Sequence, residues 1–299
     1  MIKPLYLSKE IFELASLGSE ISLHSIFNSS INLGLNGFII NISDNQHILP
    51  PYGIVLKSKD FITLKNELNN KNLNLNIDNN TLSINNITID LIKVAQKYIS
   101  RMVKTTNKIL DSNIEILKNK VLYSEKKNGF NIESSIILKA ISTKNNLEKG
   151  NLYNMATLDF ILKLNQLEAF FFHNNHHESL KYFLGRGMGL TPSGDDFLVG
   201  MMSVFSLHGM FKESIMHIRD FILKNKGIYT NDISEQFLIM ATEDQFSISI
   251  ILLIDYLTRE EFDDEILNNV LNYGGTSGVD IILGIIFATH IMNRSGVNE

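Results

Sequence analysis

The chain has 299 residues, 44% of them hydrophobic, enough for one large core or two ordinary ones. A formal net charge of −5, with 27 Lys and Arg scattered along the chain, leaves no basic footprint for nucleic acid. The absence of cysteine excludes disulfides, thiolate metal sites and a cysteine nucleophile, and removes any need for an oxidising compartment.

The N-terminal segment holds no uninterrupted apolar stretch and no cleavage-site pattern, so no signal peptide is expected. Apolar runs such as 197–207 fall short of the roughly 20 residues that span a bilayer. A cytoplasmic protein without membrane contact is the expectation. Residues 1–90 read as β-rich. Segments 21–33, 37–42 and 53–56 are short apolar or β-branched runs, broken by Pro50-Pro51-Tyr52-Gly53. Segments 73–77, 81–84 and 87–91 alternate with period two, separated by Asp78-Asn79-Asn80 and Asn85-Asn86 turns. This predicts a small, mostly antiparallel sheet or barrel. From about residue 90 the apolar spacing becomes helical, first at Leu91, Val94, Ala95, Tyr98, Met102 and Val103. Helical patterns follow at 109–118 and 158–184, then at 195–209, 212–225, 231–242, 246–258, 263–272 and 279–293. Segment 126–150 is polar and reads as a loop with one short helix. The expected fold class is therefore α+β: a β-rich domain over 1–90, then a mostly helical domain over 91–299.

The segment from Gly185 to Gly200 reads G-R-G-M-G-L-T-P-S-G-D-D-F-L-V-G, and Gly274 to Gly284 reads G-G-T-S-G-V-D-I-I-L-G. Both contain Ser-Gly-x-Asp-x-x-x-Gly, as Ser193-Gly194-Asp196-Gly200 and Ser277-Gly278-Asp280-Gly284. Each opens an apolar run of the kind that forms a buried helix. A glycine inside a helix costs about 1 kcal/mol relative to alanine. Two at matching places imply a pair of buried helices that cross closely, with both N-termini on one side of the core.

Ser193 is a natural N-cap, and Pro192 lacks a donor. First-turn N–H groups and the helix dipole suit an anion. Gly187, Gly189 and Gly194 allow close backbone approach, Thr191 and Ser193 add hydroxyls, and Arg186 can grip a carboxylate or phosphate with two prongs. Thr276, Ser277 and Gly278 are the counterparts in the second segment. Capped core helices are the plain alternative. Asp195 and Asp196 would repel a bare phosphate; they fit a ligand that also carries N–H donors, a bound cation, or simple capping. In Thr230-Asn231-Asp232-Ile233-Ser234, Thr230 or Asn231 can cap a helix, and Ser234 shares a face with Thr230. If this start converges on the other two, its hydroxyls complete a polar pocket.

His173 and His177 are spaced as two metal ligands on one helix face, but the place after His173 is Asn174 and no third ligand is near. These two and His176 read as a solvated helix end, and no metal is assigned. His24 reads as a hydrogen-bonded structural residue. No Gly-x-Ser-x-Gly elbow, P-loop or complete dinucleotide fingerprint occurs, so no cofactor is assigned.

The Gly185–Gly200 segment closely resembles the signature of the AllH-type subunit of oxamate carbamoyltransferase. The resemblance extends to H-S-I-F-N-S-S-I-N-L at His24–Leu33, P-P-Y-G-I-V-L at Pro50–Leu56, T-N-D-I-S at Thr230–Ser234 and the Gly274–Gly284 segment. It implies a subunit of an enzyme complex of anaerobic allantoin breakdown, which converts oxalurate and phosphate to oxamate and carbamoyl phosphate. The partner subunits it implies resemble acyl-CoA synthetase-type proteins. On that expectation Arg186, Thr191, Ser193 and the helix starts hold the anionic end of the substrate. Asp195, Asp196 and Asp280 then accept its N–H groups or orient the carbamoyl group. The alternative is a non-catalytic scaffold whose loops cap helices or dock catalytic subunits.

Overall fold

The computed structural model describes residues 1–16, 21–68, 73–78, 80–143, 153–173, 177–187 and 189–295. The chain divides into two compact units. Met1–Arg101 with Ser247–Ser249 forms one, and Met102–Phe246 with Ile250–Glu299 the other.

The first unit contains β1 (Tyr6–Ser8), α1 (Glu10–Ser16), β2 (Ile21–Ile26), β3 (Ser30–Leu35), β4 (Phe38–Ser43), β5 (Gly53–Val55), α2 (Ser58–Glu67), β6 (Leu75–Ile77), β7 (Thr81–Ile84), β8 (Ile87–Asp90) and β9 (Gln96–Tyr98). Six strands form one sheet in the order β2-β3-β4-β5-β1-β9, and β6-β7-β8 form a second. The N-terminal part is thus β-rich as expected, and its hairpins β2-β3, β3-β4, β6-β7 and β7-β8 are antiparallel. The larger sheet is mixed, because β4-β5 and β1-β9 pair in parallel. Strand β5 and the following Leu56 are buried throughout, as a central strand covered on both faces should be. Asn85 takes a positive φ of 50° in the turn between β7 and β8. Asp78 receives the N–H groups of Asn80 and Thr81 at 2.7 Å before β7; Asn79 of that expected turn lies outside the described residues.

The helical spacing at 91–103 does not form a helix. Leu91 and Tyr98 are buried, whereas Ile92, Ile99 and Val103 are exposed. Strand β9 pairs with β1 there, and the Tyr98 hydroxyl donates to Pro50 O at 2.6 Å. Sheet pairing and this long-range bond override a period that the apolar residues satisfy only by coincidence. Helix α2 carries no side-chain bond at its N-cap, but Phe61, Leu64 and Leu68 fall on one buried face. His24 sits at the bulge where the β2-β3 register shifts between Leu23 and Ser25, its Nδ1 2.9 Å from Ser25 Oγ.

The second unit contains α3 (Asp111–Tyr123), α4 (Ser134–Ser142), α5 (Met155–His173), α6 (His177–Phe183), α7 (Ser193–His208), α8 (Lys212–Lys224), α9 (Asp232–Thr242), α10 (Ile248–Tyr256), α11 (Asp264–Leu271) and α12 (Ser277–Arg294). Residues 248 and 249 of α10 group with the first unit. His173 closes α5 and His176 lies outside the described residues. Helices α7 and α12 form the centre of the core. Nearly every α7 residue from Ser193 to Leu207, and every α12 residue from Ser277 to Thr289, is buried.

The two matched glycines explain how the helices meet. A Cβ on Gly200 would lie 2.1 Å from Ile281 O, and a Cβ on Gly284 would lie 2.0 Å from Phe197 O. The backbones therefore touch at both points, and only glycine fits. The preceding glycines do the equivalent job one layer up. A Cβ on Gly194 would strike Phe183 O at the end of α6, and one on Gly278 would strike Val270 O at the end of α11. Each Ser-Gly-x-Asp segment is thus the start of the second helix in a helix–loop–helix, pinned against the end of the first.

Candidate functional site

The starts of α7 and α12 bring their polar residues together, and the pairing is crossed. Asp196 of α7 faces the hydroxyl of Ser277 of α12. Asp280 of α12 faces the hydroxyl of Ser193 of α7. Thr191 joins the two sides: its Oγ1 donates to Asp196 Oδ2 at 3.1 Å and lies 3.1 Å from Ser277 Oγ. Asp280 also receives the Gly129 N–H, at 3.1 Å to Oδ1 and 3.3 Å to Oδ2. Asp196 is 6% exposed and Asp280 0%. Outside them lie Thr191 and Thr276, half-buried, and then Gly187, Gly189, Leu190, Gly274 and Gly275, exposed.

Ser193 differs from its expected role. The N-cap of α7 is Pro192, without a side-chain cap bond, and Ser193 is the first helical residue. Its Oγ is wholly buried beside Asp280 yet meets no partner at full hydrogen-bond geometry. A Cβ on Gly129 would lie 1.9 Å from that oxygen, and one on Gly187 2.8 Å from it. Two glycines therefore close over the hydroxyl. The α7 start satisfies its own donors: Gly194 N–H goes to Arg186 O at 2.9 Å, and the Asp195 and Asp196 N–H groups go to Pro192 O.

Asp195 takes a separate place. Its Oδ1 receives the Gly185 N–H at 2.8 Å, and its Oδ2 receives the hydroxyls of Ser234 at 2.7 Å and of Thr230. The third helix start therefore does converge on the first, through this one carboxylate. Asn231 caps α9 by accepting the Ser234 N–H at 3.0 Å, and its Nδ2 donates to Leu190 O at 2.8 Å, which ties down the glycine loop. The Arg186 guanidinium stacks on the Tyr182 ring, 3.9 Å from its centroid. Met188 lies outside the described residues.

Burial sets the electrostatics. It raises the carboxyl of Asp195 against the opposing bonds from Thr230, Gly185 and Ser234. It raises Asp196 well above the usual carboxylate range; the Ser277 and Thr191 hydroxyls oppose this, and the Asp280 and Asp195 charges add to it. It raises Asp280 to about 7, opposed by Ser193, the Gly129 N–H and Thr276. Carboxyls moved this way cluster at sites that handle protons. Among the described residues no group of three His, Asp or Glu side chains is placed to hold a metal ion.

The Gly129 turn is the element that sequence reasoning passed over. Asn128 shapes it, donating to Ile132 O at 2.7 Å and accepting the Phe130 N–H at 3.0 Å. Phe130 then packs against Phe160, Phe183 and Phe197. The Asn-Gly pair is a turn signal, and it was the one available clue. Lys126 donates to Leu271 O at 3.0 Å and Gly274 O at 3.4 Å, binding the second loop from the same side of the turn.

These groups, apart from the Gly129 turn, all fall within one stretch of chain. Residues 183–289 match the family model of oxamate carbamoyltransferase subunit AllH. The AllH match runs from the end of α6 into α12 and includes both Ser-Gly-x-Asp segments, the Thr230–Ser234 start and all three aspartates. No curated protein and no solved structure matches the chain. No helix among the described residues is long and apolar enough to cross a membrane.

Proposed function

We propose that the second unit binds a small anionic ligand bearing carbamoyl or phosphate groups at the paired starts of α7 and α12. In this reading the chain is a subunit of an oxamate carbamoyltransferase-type complex. Oxalurate and phosphate are its substrates, oxamate and carbamoyl phosphate its products, and acyl-CoA synthetase-like proteins its partners.

The crossed Asp196–Ser277 and Asp280–Ser193 pairing carries the reading. Helix capping needs neither two buried carboxyls nor hydroxyls traded between helices, and such burial is unfavourable without a purpose. The ligand chemistry fits. Oxalurate and carbamoyl phosphate each join an anionic end to amide N–H groups. The half-buried hydroxyls of Thr191 and Thr276 suit the anion, and carboxylates suit the N–H groups. Carbamoyl transfer to phosphate passes through a charged tetrahedral centre, which oriented donors stabilise. Asp195 is best read as the strut that locks the glycine loop to α9. Arg186 would leave the Tyr182 ring to reach a ligand.

A scaffold role is the second reading, supported by the Gly194, Asp195 and Asp196 N–H groups being satisfied within the chain. Phosphate-dependent cleavage of oxalurate by the complex assembled with its partners separates the two. We expect Asp196→Asn and Arg186→Ala each to lower the rate by about tenfold or more. Unchanged rates in both variants rule out this site.

A further inference from the structure

The net reaction proposed above moves one proton. Phosphate attacks the carbamoyl carbon of the ureide, forming the O–C bond, and the C–N bond then breaks with its electron pair going to nitrogen. The hydroxyl proton of the phosphate monohydrogen dianion must leave as the carbamoyl–phosphate anhydride forms. The departing amide nitrogen must gain one. No oxidant, reductant or further reactant is needed. A single group can take a proton and later give it up, but two carboxyls that share one proton hold a base and an acid in place at once.

We propose that Asp196 and Asp280 are that pair: the ionised member takes the proton of the attacking phosphate, and the protonated member supplies the leaving nitrogen. The geometry is suited to sharing. The two side chains stand on neighbouring helix starts, each among hydroxyls of the opposite helix, with Thr191 Oγ1 in contact with both Asp196 and Ser277. Thr191 is half-buried and Thr276 likewise, so these hydroxyls form the path from the buried carboxyls to the exposed lip. The wholly buried Ser193 hydroxyl, enclosed beside Asp280 by Gly129 and Gly187, is the donor that the opposite helix supplies on that side of the pair. The surrounding charges keep the pair from being neutralised. Lys126 spends its ammonium on Leu271 O and Gly274 O, Arg186 lies on Tyr182, and Glu235 accepts the Gly227 N–H. The remaining charge on Asp196 comes from Asp280 and Asp195. Like charges at close quarters favour retention of one proton.

The proposal rests on the function proposed above, so its test uses two carbamoyl donors in the assembled complex. Oxalurate needs a proton on its leaving nitrogen; para-nitrophenyl carbamate does not, since nitrophenolate leaves as an anion. With wild type, the oxalurate rate should be bell-shaped in pH around neutrality, and the nitrophenyl rate, corrected for spontaneous hydrolysis, should lack the alkaline fall. Asp196→Asn and Asp280→Asn should each lose about 100-fold or more on oxalurate and no more than about tenfold on the nitrophenyl donor. Equal losses on both donors, or identical pH profiles in wild type, overturn the shuttle and leave the binding reading standing. A wild-type complex inactive on both donors overturns the two together. The wild-type profiles do not depend on either variant folding.

Discussion

Asp280 is a buried carboxyl held by one amide and two hydroxyls, and burial lifts it to about 7. Its unfolded value lies near 3.8, so between those limits the folded chain binds more protons than the unfolded chain. Stability contributed by this group is present below the lower limit and falls as pH rises through the window, levelling off above it. Asp196, raised by burial with the Asp280 and Asp195 charges adding to it, acts in the same direction. Thermal melts of wild type and Asp280→Asn should therefore diverge as pH rises from about 4 to about 7. The variant, which never ionises, should be relatively more stable at about pH 8 than at about pH 5. Between those two pH values the shift sets a ceiling of roughly 3 kcal/mol on the change. A gap that instead favours wild type as pH rises contradicts this account of Asp280. At this scale the sequence was only partly legible. Ser193, Thr191, Asp196, Ser277 and Asp280 were identifiable because they are adjacent to glycines in a repeated pattern. Asp195 looked equivalent to Asp196, and its separate partners in Gly185, Thr230 and Ser234 come from the fold.

The crossing of α7 and α12 is the element-scale feature that places those residues. It was legible because the signal is local: a glycine seven residues after each serine, inside an apolar run. A methyl group at either glycine meets a backbone carbonyl, which cannot rotate away as a flexible side chain can. Gly200→Ala and Gly284→Ala should each cost about 1–3 kcal/mol or more, the usual range for overpacking a core. The fall in melting temperature checks this. A variant that melts with wild type would show that the helices can part freely. Gly129 was not legible as a site element. Its partner Asp280 lies 151 positions away, and nothing in a polar segment announces which carboxylate it will meet. The helix expected at 91–103 fails for the converse reason. Apolar spacing alone does not tell a helical face from a strand, and Tyr98 is buried in strand β9, which pairs with β1, while Val103 of the same pattern is exposed.

On the scale of the whole molecule, the polar cluster belongs to one of the two units. The AllH match, except for Ser247–Ser249, and every group of the crossed cluster, the Gly129 turn included, fall in the second unit. The first unit carries the sheet with His24 at its bulge, outside the match. The net charge of −5 leaves anion binding to local donors rather than to a general positive field. The central claim is that the paired helix starts hold the ligand, and calorimetric titration of the chain and of the assembled complex tests it directly. Phosphate, carbamoyl phosphate, oxamate and oxalurate are the ligands. At least one should bind saturably to wild type and about tenfold or more weakly to the Thr191→Val, Ser277→Ala double variant, from loss of two hydroxyl contacts. Saturable binding that is undiminished in the double variant, or no binding by either chain or complex, contradicts the claim.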